Sequence, residues 1–219
     1  MNSLCNLPLE IIQIIFNELD FKSQIIFKQQ CKSFYDGLRI YDLHNIDYKY
    51  LNNITDEILL NFKYARYLNA TKDIYNYNYN QINTLSSKIT STGIKHLNLH
   101  TLSAWGNEKI TDEAIINMHL HTLDCSFNNK ITDKGIKHMN LHILYAAGNN
   151  KITDEGIKYM NLYELDASRR CNITDRGIKH MDLHSLYANY NENINIDEVK
   201  QIKSLKLLQI GNKLFFSTN

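Results

Sequence analysis

Histidine is the residue of this chain best suited to chemistry, and it recurs in register. His100, His121 and His142 stand 21 residues apart, and His184 follows after one gap that Tyr163 fills. Adjacent rungs of a parallel sheet lie about 4.8 Å apart, so two neighbouring imidazoles of such a column have the reach to clamp a zinc ion. The same column also arises as a polar ladder copied along with its repeats. That second reading is the expectation here: no metal and no cofactor. His96, His138 and His180 fall on helical segments and read as surface. Cys5, Cys31, Cys125 and Cys171 have neither metal nor disulfide spacing and read as free thiols of a reducing compartment. The sequence holds no glycine-rich phosphate loop, no H-E-x-x-H and no paired C-x-x-C. No serine or cysteine reads as a nucleophile with a sequence-local partner base. The chain is expected not to be an enzyme.

The histidines are positioned by a repeat. An isoleucine returns every 21 residues at Ile89, Ile110, Ile131, Ile152, Ile173 and Ile194. Lys130 to Met139 is echoed at Lys151 to Met160 and at Asn172 to Met181, each followed by a leucine block. A period in the twenties with an L-x-x-L-x-small-x-x-N core marks a leucine-rich repeat solenoid. Its short strands alternate inward and outward positions. The inward columns are Leu99, Leu120, Leu141, Leu162 and Leu183, then Leu102, Leu123, Leu144, Leu165 and Leu186. A third, small column is Ala104, Cys125, Ala146, Ala167 and Ala188. Asn107, Asn128, Asn149 and Asn191 form an amide column suited to satisfying turn backbone. Arg170 breaks it, and a displaced turn is expected there. Thr and Asp of each Ile-Thr-Asp read as helix caps. Lys95, Lys137, Lys158, Lys179 and Lys200 read as a solvated helix face.

Both ends of the array are irregular. Leu205, Leu208 and Ile210 resemble a last strand. Ile54 to Glu57 with Ala65, Leu68 and Ala70 resemble a degenerate first repeat. A Tyr75 to Asn80 run of alternating tyrosine and asparagine reads as an irregular insertion. The unit resembles the cysteine-containing subclass of leucine-rich repeats, with asparagine in place of the signature cysteine.

Leu7-Pro8-Leu9-Glu10-Ile11 opens an amphipathic helix in which Ile11, Ile15 and Leu19 form one stripe, with Ile12 and Phe16 beside it. A second apolar stretch holds Ile25, Ile26 and Phe27, and Cys31-Lys32 and Phe34 follow. This order, L-P-x-E-I-x-x-x-I-F-x-x-L-D and then C-K-x-F, resembles an F-box. Phe21 stands where proline is common. Gln24 and Gln30 replace apolar residues, so weaker packing of the second helix is expected. The expected fold is therefore α/β, with a small all-α F-box helical domain ahead of the solenoid. The solenoid is expected to carry parallel strands on its concave face and short helices on its convex face. Residues 1–45 are assigned to the F-box, 46–88 to the degenerate repeat and insertion, and 89–219 to the 21-residue repeats.

The resemblance implies a non-catalytic receptor subunit of an SCF-type (Skp-cullin-F-box) ubiquitin ligase. Leu7, Pro8, Ile11, Ile15 and Leu19 would contact a Skp-type adaptor, through it a cullin, while the repeats bind a target protein. The alternative is an interaction scaffold without ubiquitin transfer. Outward strand and turn positions nominate Trp105, Asp124, Phe127, Tyr145, Asp166, Arg169, Tyr187 and Tyr190 for the target, since aromatics and arginine are enriched in binding hot spots. The biased composition and near-identical repeats are similar to F-box/repeat proteins of giant DNA viruses. A net charge of +1 favours neither nucleic acid nor anionic membrane. No apolar run spans a bilayer and no secretory signal is recognised, so an intracellular setting, cytoplasmic or nuclear, is expected.

Overall fold

A computed structural model of the chain describes residues 8–30, 37–43, 54–71, 87–211 and 213–216. Leu7, Cys5, Cys31, Lys32, Phe34 and the Tyr75 to Asn80 run lie outside the described residues. Among the described residues, nine strands form one sheet in chain order: β1 (Asp42–Leu43), β2 (Tyr67–Asn69), β3 (Thr101–Ser103), β4 (Thr122–Asp124), β5 (Ile143–Tyr145), β6 (Glu164–Asp166), β7 (Ser185–Tyr187), β8 (Leu207–Ile210) and β9 (Lys213–Phe216). All neighbours through β8 pair in parallel. Leu68, Leu102, Leu123, Leu144, Leu165, Leu186 and Leu208 align rung on rung. Four-residue helices, such as Asp133–Ile136 and Asp154–Ile157, lie between successive strands.

All three inward columns and the isoleucine column are buried in one continuous core. No single rung could bury its own leucines, so stability comes from stacking. Ala65, Leu68 and Ala70 take the inward places of the degenerate repeat. A further rung precedes it: Leu43 pairs with Leu68, and Ile40 and Leu43 are buried. At the other end Leu205 precedes the strand, and β9 turns back antiparallel on β8 after Gly211. The sequence reading anticipated neither the extra rung nor the returning strand.

The asparagine column ties the rungs together. Asn128 Nδ2 donates to the carbonyls of Asn107 (2.8 Å) and Ile110 (3.1 Å), and Asn149 Nδ2 repeats this to Asn128 (2.6 Å) and Ile131 (3.0 Å). Each Oδ1 accepts from the amide two residues on. At Arg170 the column breaks as expected. Arg170 is exposed, no bond equivalent to Asn149 N–H to Ala146 C=O closes the turn, and the next residue, Cys171, is buried. Asn172 is exposed and donates outside the column, to the Asn150 carbonyl at 2.9 Å.

One expectation about caps is corrected. Thr132, Thr153 and Thr174 cap their own helices, but the aspartate that follows each reaches forward. Asp133 accepts from both the amide and the hydroxyl of Thr153 at 2.7 Å, one repeat later, and Asp112 does the same for Thr132. The carboxylate thus satisfies the next helix's start rather than its own.

At the N-terminal end, α1 (Leu9–Asn17) follows Pro8, whose carbonyl accepts from Ile11 and Ile12. Asp20 caps α2 (Phe21–Lys28) by accepting from the Ser23 amide, which lowers the Asp20 pKa. The fold treats the two neighbouring apolar rows differently: Ile12 and Phe16 are buried in the shared core, while Ile11 and Ile15 are exposed. Gln24 is also corrected. It is buried, and its Nε2 donates to the Phe16 carbonyl at 3.1 Å, so it joins the two helices instead of loosening them. Gln30 is exposed and bonds within its own helix region. Gln13 holds the Arg39 backbone from both sides, at 2.8 and 2.9 Å, and so anchors α1 beside the start of the sheet.

Candidate functional site

Two surfaces carry groups that the core does not use. The first is the outer side of α1. With Ile12 and Phe16 facing inward, the helical period leaves Ile11, Ile14 and Ile15 on one exposed side. Ile14 is 61% exposed, and Leu9 and Ile26 are also exposed. Water-facing isoleucines at this density mark an interaction surface. Of the five adaptor candidates, Pro8, Ile11 and Ile15 are exposed, Leu19 is half-buried against the core, and Leu7 lies outside the described residues. Ile14 was missed, although its i+3 spacing from Ile11 places it on the same face.

The second surface is the strand face with its adjoining turns. Its outward column reads Ser103, Asp124, Tyr145, Asp166 and Tyr187. Asp124, Tyr145, Asp166 and Tyr187 are half-buried. Tyr145 donates its hydroxyl to Glu164 at 2.7 Å, a partner the sequence reading did not single out. Burial and then the Glu164 carboxylate push the Tyr145 phenol above its usual range.

Beside this column runs a turn position occupied by Gly106, Phe127, Gly148, Arg169 and Tyr190, all with positive φ. Glycine adopts that conformation freely; a side chain there costs about 1–3 kcal/mol. Three of five repeats nonetheless carry large side chains, at φ of 55°, 64° and 58°. The gap at Gly148 is filled by Phe127, because a Cβ there would lie 2.6 Å from the ring. Trp105 meets Phe127 edge-on at 5.5 Å, and the Arg169 guanidinium lies 5.4 Å from the same ring. Trp105, Phe127 and Arg169 therefore form one ridge across repeats, and Tyr190, 70% exposed, extends the same turn column.

The histidine column forms a stack. Ring centroids are 4.7 Å apart for His100 and His121, 4.8 Å for His121 and His142, 4.9 Å for His142 and Tyr163, and 4.6 Å for Tyr163 and His184. Nδ1 of His100, His121 and His184 each lies beside the next residue's hydroxyl. In the His100–His121 pair the rings are within 13° of parallel, so their nitrogen lone pairs run side by side rather than converging. Among the described residues no three histidine, cysteine or carboxylate side chains gather at one point. Cys125 and Cys171 are buried, and burial raises both thiol pKa values, that of Cys171 to about 11. Such thiols stay protonated and inert near neutral pH.

The helix side is uniform. Lys95, Lys137, Lys158, Lys179 and Lys200 are all exposed, and Lys158 pairs with Glu155 at 3.6 Å within its own repeat. No helix among the described residues is long and apolar enough to cross a membrane.

Two segments of the chain match known families. Residues 4–45 match the F-box domain, and residues 117–139 match a leucine rich repeat. The F-box match contains α1, α2 and β1, so its exposed isoleucines belong to that module. No curated protein matches the chain. An F-box and leucine-rich repeats together give a protein-interaction role.

Proposed function

We propose that this F-box/leucine-rich-repeat protein is the substrate-recognition subunit of an SCF-type ubiquitin ligase. Its α1 face binds a Skp-type adaptor, the adaptor brings a cullin, and the strand face holds a target protein. The observation that carries this reading is the division of labour on the surface. Ile11, Ile14 and Ile15 stay exposed on a helix whose other side is locked into the core. Further along the chain, the repeats keep strained, solvent-facing Phe127, Arg169 and Tyr190 where glycine would cost less. The chain itself performs no chemistry. It acts by proximity, raising the local concentration of target lysines near a charged conjugating enzyme. The assembly works inside the cell.

The second reading, an interaction scaffold without ubiquitin transfer, keeps both surfaces and drops the cullin. Affinity purification of the tagged full chain from cells, with mass spectrometry, separates the two. Recovery of adaptor, cullin and a common set of partners whose ubiquitination falls when Ile11 and Ile15 are replaced supports the ligase. Adaptor and partners without cullin support the scaffold. A chain that recovers no adaptor contradicts both uses of the F-box.

A further inference from the structure

We infer that the strand face selects a basic protein segment, one presenting lysine or arginine side chains. The inference rests on the reading that the repeats bind a protein target, and it adds the target's chemistry.

The outward positions of strands β3 to β8 carry Asp124, Glu164 and Asp166 and no lysine or arginine. The three carboxylates are half-buried, and among the described residues no cation lies within ion-pair distance of them. Along the outward column, acid and phenol alternate rung by rung: Asp124, Tyr145, Asp166, Tyr187. Asp166 is thus flanked by two tyrosines. A carboxylate between aromatic rings offers a cationic side chain both an ion pair and ring faces. An anionic partner would meet only repulsion there.

The fold does not require these acids. Asp124 Oδ1 accepts from the Ser126 amide at 3.0 Å and Asp166 Oδ1 from the Ser168 amide at 2.9 Å, a local turn bond. Yet Ser103, Tyr145 and Tyr187 stand at the same position in sister repeats, whose strands keep the same register. The field is also expressed in the neighbours. Burial raises the pKa values of Asp124 and Tyr187, and nearby carboxylates add to both: Asp166 for Asp124, and Glu164 and Asp166 for Tyr187. A partner cation would relieve that desolvated negative charge. Arg169, on an adjoining turn, lies 5.4 Å from the Phe127 ring and makes no ion pair with these acids.

The test is selection of random dodecapeptides displayed on phage against the purified full chain, followed by affinity measurement with synthetic peptides. Enriched peptides should be rich in lysine or arginine. Their affinity should fall by about tenfold or more in the D124N/E164Q/D166N variant, and should weaken as salt rises. Unfolding curves matched to the parent chain establish that the variant is folded. Enrichment of acidic or uncharged peptides that lose binding to Tyr145→Ala and Tyr187→Ala, but not to the charge variant, would overturn the basic-segment inference. It would leave the strand face as the binding surface. If no enriched peptide responds to the charge variant or to either tyrosine variant, the strand face is not that surface, and both readings fail.

Discussion

Asp133 and Gly156 share one space. A Cβ on Gly156 would lie 2.2 Å from Asp133 Oδ1, the oxygen that holds the Thr153 amide. The same pairing joins Asp56 with Gly93, Asp112 with Gly135 and Asp154 with Gly177. One repeat departs from it on both sides at once: Ser91 stands in the aspartate's place, and Ala114 in the glycine's. There the shorter Ser91 hydroxyl accepts from the Thr111 amide at 3.0 Å and leaves room for the methyl. Forward reach by the carboxylate and absence of a side chain on the next helix are thus one device.

Gly156→Ala should therefore destabilise by about 1–3 kcal/mol, against the usual gain from glycine to alanine in a helix. Adding Asp133→Ser, which copies the native Ser91 and Ala114 pair, should recover part of the loss. Urea unfolding of the two single variants and the double variant measures the coupling. Strictly additive effects would contradict a shared space.

Leu144 is fully buried and Lys158 is exposed. Leu144→Ala should cost about 2–5 kcal/mol, and Lys158→Ala no more than about 0.5 kcal/mol. Chemical denaturation decides this, and comparable losses would mean that the inward and outward columns are misassigned.

Tyr190 combines a φ of 58° with 70% exposure. Tyr190→Gly relieves the backbone strain at the expense of little packing, so the unfolding midpoint should hold or rise while target capture weakens. Loss of stability with unchanged capture would show that the side chain serves the fold.

Much of this was legible because duplication writes the core columns out repeatedly. The inward leucines, the asparagine column and its failure at Arg170 all follow from register alone. What stayed hidden depends on contacts between repeats or on backbone angles. Asp133 reads as a local cap until Thr153 is seen one rung away. The positive φ at Phe127, Arg169 and Tyr190 is signalled only by glycine at Gly106 and Gly148 in the same column. On α1, two adjacent stripes fit the helical period equally well, and only packing against the sheet decides that Ile12 and Phe16 go in while Ile11 and Ile15 stay out. The rung at Ile40 and Leu43 carries the same apolar spacing as the repeats but lies inside the residues that read as F-box.

The ring stack makes stability depend on pH. Burial, then the charges of His100 and His142, hold the His121 pKa below its ordinary value. As pH falls, the unfolded chain therefore binds this proton before the folded chain does. The contribution is intact above the ordinary histidine value and is lost from there down through the lower folded value. The urea midpoint should drop as pH falls below the ordinary histidine value of about 6.5. His121→Tyr, which copies Tyr163, should reduce that drop. An equal drop in the variant would place the titration elsewhere.

Direct binding of a purified Skp-type adaptor to the full chain tests the central claim most directly. Isothermal titration should show a complex with the parent chain. Ile11→Asp with Ile15→Asp, both on the exposed side of α1, should weaken it by more than about 2 kcal/mol, as expected for hot-spot anchors, with the unfolding curve unchanged. A triple replacement of Lys137, Lys158 and Lys179 on the helix side should bind as the parent does. Adaptor affinity untouched by the double aspartate variant, or absent from the parent chain, would contradict the assignment of α1 as the docking face.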